Sequence, residues 1–175
     1  AALTGHLVLS TLHTNSAAGA LPRLIEMEVE PFLIASTLNV IVAQRLVRKL
    51  AEDKEEYKLT PKALENLGSY CDLAKLEARL REEKIIKPKD TLAGTAFFKP
   101  KKGKEDEGGY KGRIGIYEVL PVTESIKALV VQKATADQVQ KQGVSEGMIT
   151  MVEDGLMKAA QGITSIEEVL RVISE

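Results

Sequence analysis

The stretch TGHLVLSTLHTN (residues 4–15) holds both histidines of the chain, one on each side of a run of apolar and β-branched side chains. The run from Leu7 to Leu12 is too short for a helix and is typical of a strand that is covered on both faces. At a rise of about 3.3 Å per residue, the two imidazoles of such a strand lie roughly 23 Å apart. Their odd separation places them on opposite faces, so His6 and His13 cannot share a metal ion.

The residues after this strand predict a helix. Three of them have side chains that can cap its first turn: Thr14, Asn15 and Ser16. Pro22 lies too deep for a first-turn proline if the cap is the second of these residues. The helix therefore either begins later, near Gly19, or is kinked at the proline.

A second helix and a second strand complete this region. Pro31 suits the first turn of a helix whose apolar face extends from Leu33 to Val42. QRLVRKL (residues 44–50) is typical of a strand, and the order strand, helix, helix, strand predicts an α/β layer with a parallel sheet. His13 then lies at the carboxyl end of a strand and before a helix N-terminus, where phosphates and carboxylates bind. A structural histidine is the alternative.

Composition narrows the class of protein. The 175 residues carry a net charge of −1 with both signs mixed, which argues against a nucleic-acid partner and against a disordered acidic tail. With 44% hydrophobic residues but only 4% aromatic ones, the core must consist of aliphatic side chains. The single cysteine, Cys71, excludes an intramolecular disulfide, favours a reducing cytosol and is interpreted as a small buried hydrophobe. The chain begins with Ala1 rather than Met, which we interpret as a piece of a longer protein.

The middle of the chain changes character at Ala51, where a charged stretch without an apolar period begins. Thr60 and Pro61 predict a helix start, and a capping box from Ser69 to Asp72 predicts another. Residues 94–120 predict two strands joined by a charged hairpin tip over residues 99–109. The expected apolar core of this region consists of Leu64, Leu67, Leu73, Leu76, Leu80, Phe97 and Phe98.

The last third predicts about four short helices. One follows Thr123, and three others begin at capping boxes. Gly162 stands where a helix commonly ends in the left-handed conformation. The three boxes are Thr135–Gln138, Thr150–Glu153 and Thr164–Glu167.

The sequence lacks two patterns that would indicate binding of a nucleotide or a nucleic acid. No G-x-x-x-x-G-K-[ST] phosphate loop occurs, and Gly103-Lys104 is followed by Glu105 in an acidic loop. The basic cluster of Arg45, Arg48 and Lys49 and the run KPKKGK lack interleaved aromatic side chains for base stacking, so we expect no nucleic-acid partner.

Three blocks resemble the type II secretion and type IV pilus assembly ATPases, the GspE/PilB family. They are residues 2–50, GGYKGRIGIYEVLPVTESIKALV (residues 108–130) and EGMITMVEDGLMKAAQGITSIEEVLRV (residues 146–172). The resemblance implies that residues 4–15 are the family's His box, which follows the Walker B strand of a RecA-like P-loop core. The family's Walker A loop, Asp box and arginine fingers lie further upstream and are absent from this sequence.

The resemblance also implies functional roles. His13 would sense the γ-phosphate of ATP, with a weaker role for His6, and Thr14 would help to bind the nucleotide. ATP and Mg²⁺ would be the ligands of the longer parent chain. A cytoplasmic homo-hexamer at the inner membrane, working on a membrane platform protein, would be the assembly.

One departure from the family concerns zinc. Many members carry two C-x-x-C pairs that bind structural zinc, and an ungapped comparison places Ala51, Lys54, Lys102 and Glu105 at these four places. We therefore expect no zinc. Because the retraction motors of the superfamily lack this insertion, the extension or secretion branch is the better match.

The sequence thus predicts three segments of an α/β protein. Residues 1–50 form the C-terminal part of a RecA-like core, residues 51–112 a small α+β insertion, and residues 113–175 a returning strand with C-terminal helices. The predicted function is that of a fragment of a motor ATPase, inactive by itself because it lacks Walker A. The alternative is a non-enzymatic cytoplasmic interaction module of such a machine.

Overall fold

The computed structural model describes residues 2–101 and 108–174. These residues form a mixed α/β structure, and none of their helices has the length and apolar character needed to cross a lipid bilayer. The strands are β1 (Val40–Leu50), β2 (Lys54–Lys58), β3 (Ala96–Pro100) and β4 (Tyr110–Pro121). The helices are α1 (Ala20–Glu26), α2 (Pro31–Thr37), α3 (Pro61–Leu67), α4 (Leu73–Glu82), α5 (Glu124–Val131), α6 (Ala136–Ser145), α7 (Met151–Ala160) and α8 (Ile166–Ser174), with short 3-10 helices at Ala2–Thr4 and Leu92–Gly94.

The chain divides into two compact units. The first consists of residues 1–44 and 117–150 and contains α1, α2, α5 and α6. The second consists of residues 45–116 and 151–175 and contains β2, β3, α3, α4, α7 and α8. The middle segment of the chain therefore shares a unit with the last two helices.

Strands β1 and β4 pair with each other. At one end the Val122 N–H donates to the Asn39 carbonyl over 2.9 Å, and at the other the Ala51 N–H donates to the Gly109 carbonyl over 3.0 Å. The N-terminal end of β1 thus lies beside the C-terminal end of β4, as in an antiparallel pair. The described strands therefore do not form the predicted parallel sheet. The predicted second strand is confirmed and begins earlier than expected, at Val40.

Strand β2 lies within the charged stretch for which no strand was expected. It runs antiparallel to β3, with Lys54 opposite Pro100 and Tyr57 opposite Phe97. The rings of Tyr57 and Phe97 lie 6.5 Å apart, and this pair gives the charged strand an apolar contact. Because β3 pairs with β2 and β4 pairs with β1 in two separate two-stranded sheets, the expected hairpin of β3 and β4 is wrong. The centre of its charged tip, residues 102–107, lies outside the described residues.

The histidine segment, defined as residues 6–14, forms neither helix nor strand. Leu7 and Leu9 are 88% and 87% exposed. The predicted buried strand is therefore not present. None of the described strands pairs with this segment, and an extended chain without neighbours has no partners for its backbone groups and no cover for its faces.

The helices of the first unit begin as the sequence indicates, but α2 ends early. Helix α1 starts directly after Gly19, which confirms the later start and places Pro22 in the first turn. Helix α2 starts at Pro31 but ends at Thr37, not at Val42. The Thr37 hydroxyl bonds back to a carbonyl one turn earlier, and the β-branched residues that follow favour an extended strand.

The core of the second unit includes most of the side chains expected for the insertion. Leu67, Leu76, Leu80 and Phe97 are buried in it, and Leu64 and Leu73 pack against it. Phe98 is not a member, because neighbouring residues of a strand face opposite sides. Helices α7 and α8 supply further members of the same core: Leu156, Ala159 and Ile166.

Most of the predicted helix signals are confirmed. Thr60, Thr123 and Thr135 cap α3, α5 and α6, the last with a complete capping box. Gly162 follows α7 with a φ of 71°. Two caps differ from prediction, since α4 is capped by Asp72 and the hydroxyl at the start of α8 belongs to Ser165.

Gly155 gives a test of how α7 packs on α8. An added Cβ at Gly155 would lie 2.5 Å from Val169 Cγ1. Alanine is favoured over glycine in a helix by about 1 kcal/mol, yet we expect Gly155→Ala to lower the free energy of unfolding by about 1–3 kcal/mol because of this overlap. Urea denaturation followed by circular dichroism measures the change.

The matched control is Gly94→Ala, whose Cβ would meet Thr91 Oγ1 at an ordinary 3.5 Å. A second substitution, Val169→Ala, should remove the penalty of Gly155→Ala. If Gly155→Ala were as stable as the parent, the close approach of the two helices would be refuted.

Candidate functional site

The two histidines lie in different surroundings. His13 is exposed and has no hydrogen-bond partner among the described residues. His6 is also exposed, and its Nδ1 lies 3.1 Å from Thr4 Oγ1. An imidazole that no protein group engages can bond to a ligand, and of the two only His13 is in that state.

A tight turn follows His13. The Thr14 hydroxyl donates to the Ser16 carbonyl over 3.1 Å, and Ser16 Oγ accepts from the Gly19 N–H over 3.1 Å. Together these bonds order the chain between the histidine segment and α1. The hydroxyl proton of Thr14 is used inside the protein, while its oxygen can still accept a bond from a ligand.

Glu118 on β4 is a functional candidate that the sequence analysis missed. It is 4% exposed, and its Oε1 accepts from the Ala17 N–H over 2.8 Å. The signal was present in the alternation of the strand, because Ile116 and Leu120 on the same face are fully buried. An acidic residue at an inward position must be bonded.

A cleft of about 390 Å³ lies beside the histidine segment in the first unit. Its size falls within the range of small-molecule sites, and its walls are aliphatic with a few hydroxyl groups. Thr14 and Leu12 face it, whereas His13 between them does not line it. The lining residues are Ser10, Thr11, Leu12, Thr14, Ala20, Leu24, Met27, Leu38, Val40, Ile41 and Val42.

Two of the four positions expected to correspond to zinc ligands in the family, Ala51 and Lys54, make other contacts. Ala51 donates its N–H to the Gly109 carbonyl. The Lys54 ammonium donates to the Gly162 carbonyl over 2.7 Å and lies 4.9 Å from the Phe98 ring centre. The other two positions, 102 and 105, lie outside the described residues. Within residues 2–101 and 108–174, no cluster of three His, Cys, Asp or Glu side chains could hold a metal ion.

The single thiol is a packing group. Cys71 is half-buried against the core of the second unit, and its Sγ lies 3.9 Å from the Leu67 carbonyl. Burial, together with the nearby carboxylates of Glu153 and Asp72, raises the pKa of the Cys71 thiol to about 11. It is therefore protonated at neutral pH and a poor nucleophile.

A charged cluster in the second unit surrounds Glu168. This carboxylate is 1% exposed and accepts from Arg48 Nη2 and Arg171 Nη2, each over 2.7 Å. It also accepts from the Arg48 backbone N–H over 3.1 Å. The Arg48 guanidinium lies 4.3 Å from the Tyr110 ring centre, and the Tyr110 hydroxyl bonds to Ser165 over 2.7 Å.

The ionisation of Glu168 follows from these contacts. Burial by itself raises the pKa of Glu168, but hydrogen bonds from Arg171 and Arg48 outweigh it and lower that pKa from 4.5 to about 2. The hydrogen bond to Glu168 raises the pKa of Arg48. The cluster is thus an ion pair at neutral pH, and its arginine at position 48 is engaged within the protein.

The basic residues considered for nucleic acid are largely engaged in the same way. Arg45 donates to the Val172 carbonyl, and Arg48 bonds to Glu168. Lys49 is exposed. Two of these three cations therefore make hydrogen bonds within the protein.

Glu168 gives the protein a predictable dependence on pH. A carboxyl with a lowered pKa stabilises the fold above its unfolded value near 4.5, and this contribution is lost as the pH falls towards 2. We expect Glu168→Gln to lower the free energy of unfolding by about 2 kcal/mol at pH 7, since both guanidinium groups are partly exposed. The difference in the free energy of unfolding between the parent and Glu168→Gln should become smaller below pH 4.5. Urea denaturation at several pH values measures it.

The control is Glu65→Gln, an exposed carboxylate on α3, which should change stability little at any pH. A difference between Glu168→Gln and the parent that stayed constant from pH 7 to pH 2 would rule out the ion pair as its cause.

Comparison with known proteins now adds to this geometry. The sequence pattern of the family described as "Type II/IV secretion system protein" matches residues 1–171. The type II secretion system protein E of Xanthomonas campestris pv. campestris is 42% identical over 99% of the chain, and the type IV pilus assembly ATPase PilB of Pseudomonas aeruginosa is 38% identical over 100%. The type II secretion system ATPase E of Vibrio cholerae is 40% identical over 100% of the chain.

The chain is much shorter than these relatives. It spans 28% of the Xanthomonas protein, 28% of the Pseudomonas protein and 31% of the Vibrio protein. The similarity therefore extends over this whole chain but over less than a third of each relative.

Proposed function

Because the chain belongs to the type II/IV secretion system protein family, we propose that it is the C-terminal part of a motor ATPase that drives type IV pilus extension or type II protein secretion. The match over residues 1–171 is the observation that carries this proposal. The names of the relatives, which include a pilus assembly ATPase and a type II secretion ATPase, support both branches equally.

In this proposal the first unit contributes to a RecA-like P-loop core. The exposed Leu7 and Leu9 of the histidine segment are then the apolar side chains of a strand whose neighbours belong to the rest of the parent protein. The 175 residues alone have no phosphate loop, since G-x-x-x-x-G-K-[ST] is absent from their sequence, and we propose that they do not turn over ATP.

His13 is the residue proposed to act on the nucleotide. Its imidazole is exposed and has no hydrogen-bond partner among the described residues, which fits a group that bonds to a ligand. A neutral imidazole can donate an N–H to an oxygen of the γ-phosphate, and this hydrogen bond is lost when the phosphate leaves after hydrolysis. ATP with Mg²⁺ supplies the phosphoryl group that is transferred. Thr14 offers a hydroxyl oxygen beside His13, and His6 has the weaker role.

The assembly is proposed on the same basis. The parent would be a homo-hexamer in the cytoplasm, peripheral to the inner membrane, and would act on a membrane platform protein. No nucleic-acid partner is proposed, because the basic cluster and the run KPKKGK lack interleaved aromatic side chains.

The proposal predicts the effect of His13→Ala in the longer protein that contains this chain. Loss of one hydrogen bond to a charged phosphate costs about 1.5–3 kcal/mol, so ATP turnover should fall roughly ten-fold or more. A steady-state phosphate-release assay on the purified protein measures it.

His6→Ala is the matched control, since it removes the other imidazole of the same segment. It should act mainly through stability and leave the turnover of folded protein nearly intact. Full turnover of the His13→Ala protein would refute the proposed sensor role.

We further propose that the protein holds no structural zinc. A zinc site of four thiolates would contribute on the order of 10 kcal/mol to folding. In this proposal the insertion is stabilised by apolar burial instead, with Leu67, Leu76, Leu80 and Phe97 in its core. Purified protein should contain no stoichiometric zinc by elemental analysis, and a strong chelator should leave the melting temperature unchanged. One zinc per chain, with melting lowered by the chelator, would contradict the proposal.

A further inference from the structure

Glu118 bonds to the segment that carries His13 from a distant part of the sequence. Its carboxylate, 4% exposed, accepts from the Ala17 N–H over 2.8 Å, although the two residues are 101 positions apart. Ala17 itself is 0% exposed. A charge-assisted bond between two buried groups is short and strong, because neither partner can exchange it for water.

The bond fixes one end of a short and ordered connection. From Ala17 the chain runs back through Ser16 and Asn15 to Thr14, whose hydroxyl bonds to the Ser16 carbonyl over 3.1 Å. His13 is the next residue. The imidazole of His13 has no hydrogen-bond partner of its own among the described residues, and its backbone lies four residues before the amide that Glu118 holds.

We propose that Glu118 is a positioning residue for His13. The inference rests on the proposed function, since His13 must bond to nucleotide for its position to matter. Displacement of a catalytic group by about 1 Å can cost on the order of a hundred-fold in rate. A carboxylate on the paired strand β4, outside the histidine segment, limits this displacement.

Gln140 on α6 makes the requirement for Glu118 testable by a conservative change. Its Nε2 lies 3.5 Å from Glu118 Oε2, while its Oε1 is buried without a partner among the described residues. In Glu118→Gln the amide oxygen can still accept from Ala17. A flip of the Gln140 amide then turns its Oε1 towards the new NH₂ group, so the contact between positions 118 and 140 is kept. Glu118→Ala removes the acceptor altogether.

The first measurement is hydrogen exchange of the Ala17 amide in the full-length protein that contains this chain. Exchange at Ala17 should rise about ten-fold or more in Glu118→Ala and much less in Glu118→Gln. Val130→Ala, a buried change on α5 of the same unit, is the control for general loss of stability and should leave Ala17 protected relative to its neighbours.

The second measurement is a double-mutant cycle on ATP turnover with His13→Ala. Glu118→Ala alone should lower kcat about ten-fold, Glu118→Gln should recover most of that loss, and Glu118→Ala should add little in the His13→Ala background. A residue that merely stabilises the fold would lower turnover in both backgrounds.

Additive losses in the double variant, or unchanged exchange of the Ala17 amide in Glu118→Ala, would overturn the inference. If His13→Ala itself kept full turnover, the proposed sensor role would fail first and the inference with it. The single His13→Ala protein therefore separates the two failures.

Discussion

The carboxylate of Glu168 fixes the arrangement on which the second unit depends. It bonds to the side chain and the backbone N–H of Arg48 and to the side chain of Arg171, and so ties α8 to β1. Helix α7 packs on α8 through the close approach of Gly155 to Val169. Leu156 of α7 then enters the core that also holds the middle segment of the chain. One buried carboxylate and its two partly exposed arginines thus link the elements that complete an apolar core.

The first unit also contains a buried carboxylate that bonds to a distant segment of the chain. Glu118 and Glu168 each accept a backbone N–H from a segment more than a hundred positions away, at Ala17 and Arg48. Burial of a carboxylate costs free energy unless the group is hydrogen-bonded. Each of these carboxylates therefore links two distant parts of the chain at a specific place. At Glu168 two arginines neutralise the charge, whereas the contacts of Glu118 include the amide donors of Ala17 and Gln140. In the first unit this hydrogen bond is made four residues after the candidate functional residue His13.

The middle segment shows how a small insertion folds through a shared core. Its charged strand β2 is held by pairing with β3 and by the Tyr57–Phe97 contact. Its leucines pack with α7 and α8, so its stability is linked to the C-terminal helices. The same segment contains the positions at which many relatives are expected to hold zinc thiolates. In this chain the segment shares an apolar core with the neighbouring helices α7 and α8.

The sequence by itself determined the local features. The caps at Thr60, Thr123 and Thr135 and the left-handed Gly162 were predictable, because a helix makes its hydrogen bonds within four residues of sequence. Most of the insertion core followed from leucine spacing. The motif alone singled out the histidine segment and His13 as candidates, but the buried strand expected there is not present.

Only the tertiary structure decided the pairing of the strands and the fastening of the site. The partner of a strand can lie at any distance along the chain, and a local pattern does not specify it. Strand β3 therefore pairs with β2 and not with β4. The histidine segment forms no strand, because none of the described strands pairs with it. Glu118 shows the same limit. Its inward position is visible in the alternation of β4, but its partner, the amide of Ala17, lies 101 residues away. Hydrogen bonds between distant segments depend on how the whole chain packs, and no local pattern specifies them.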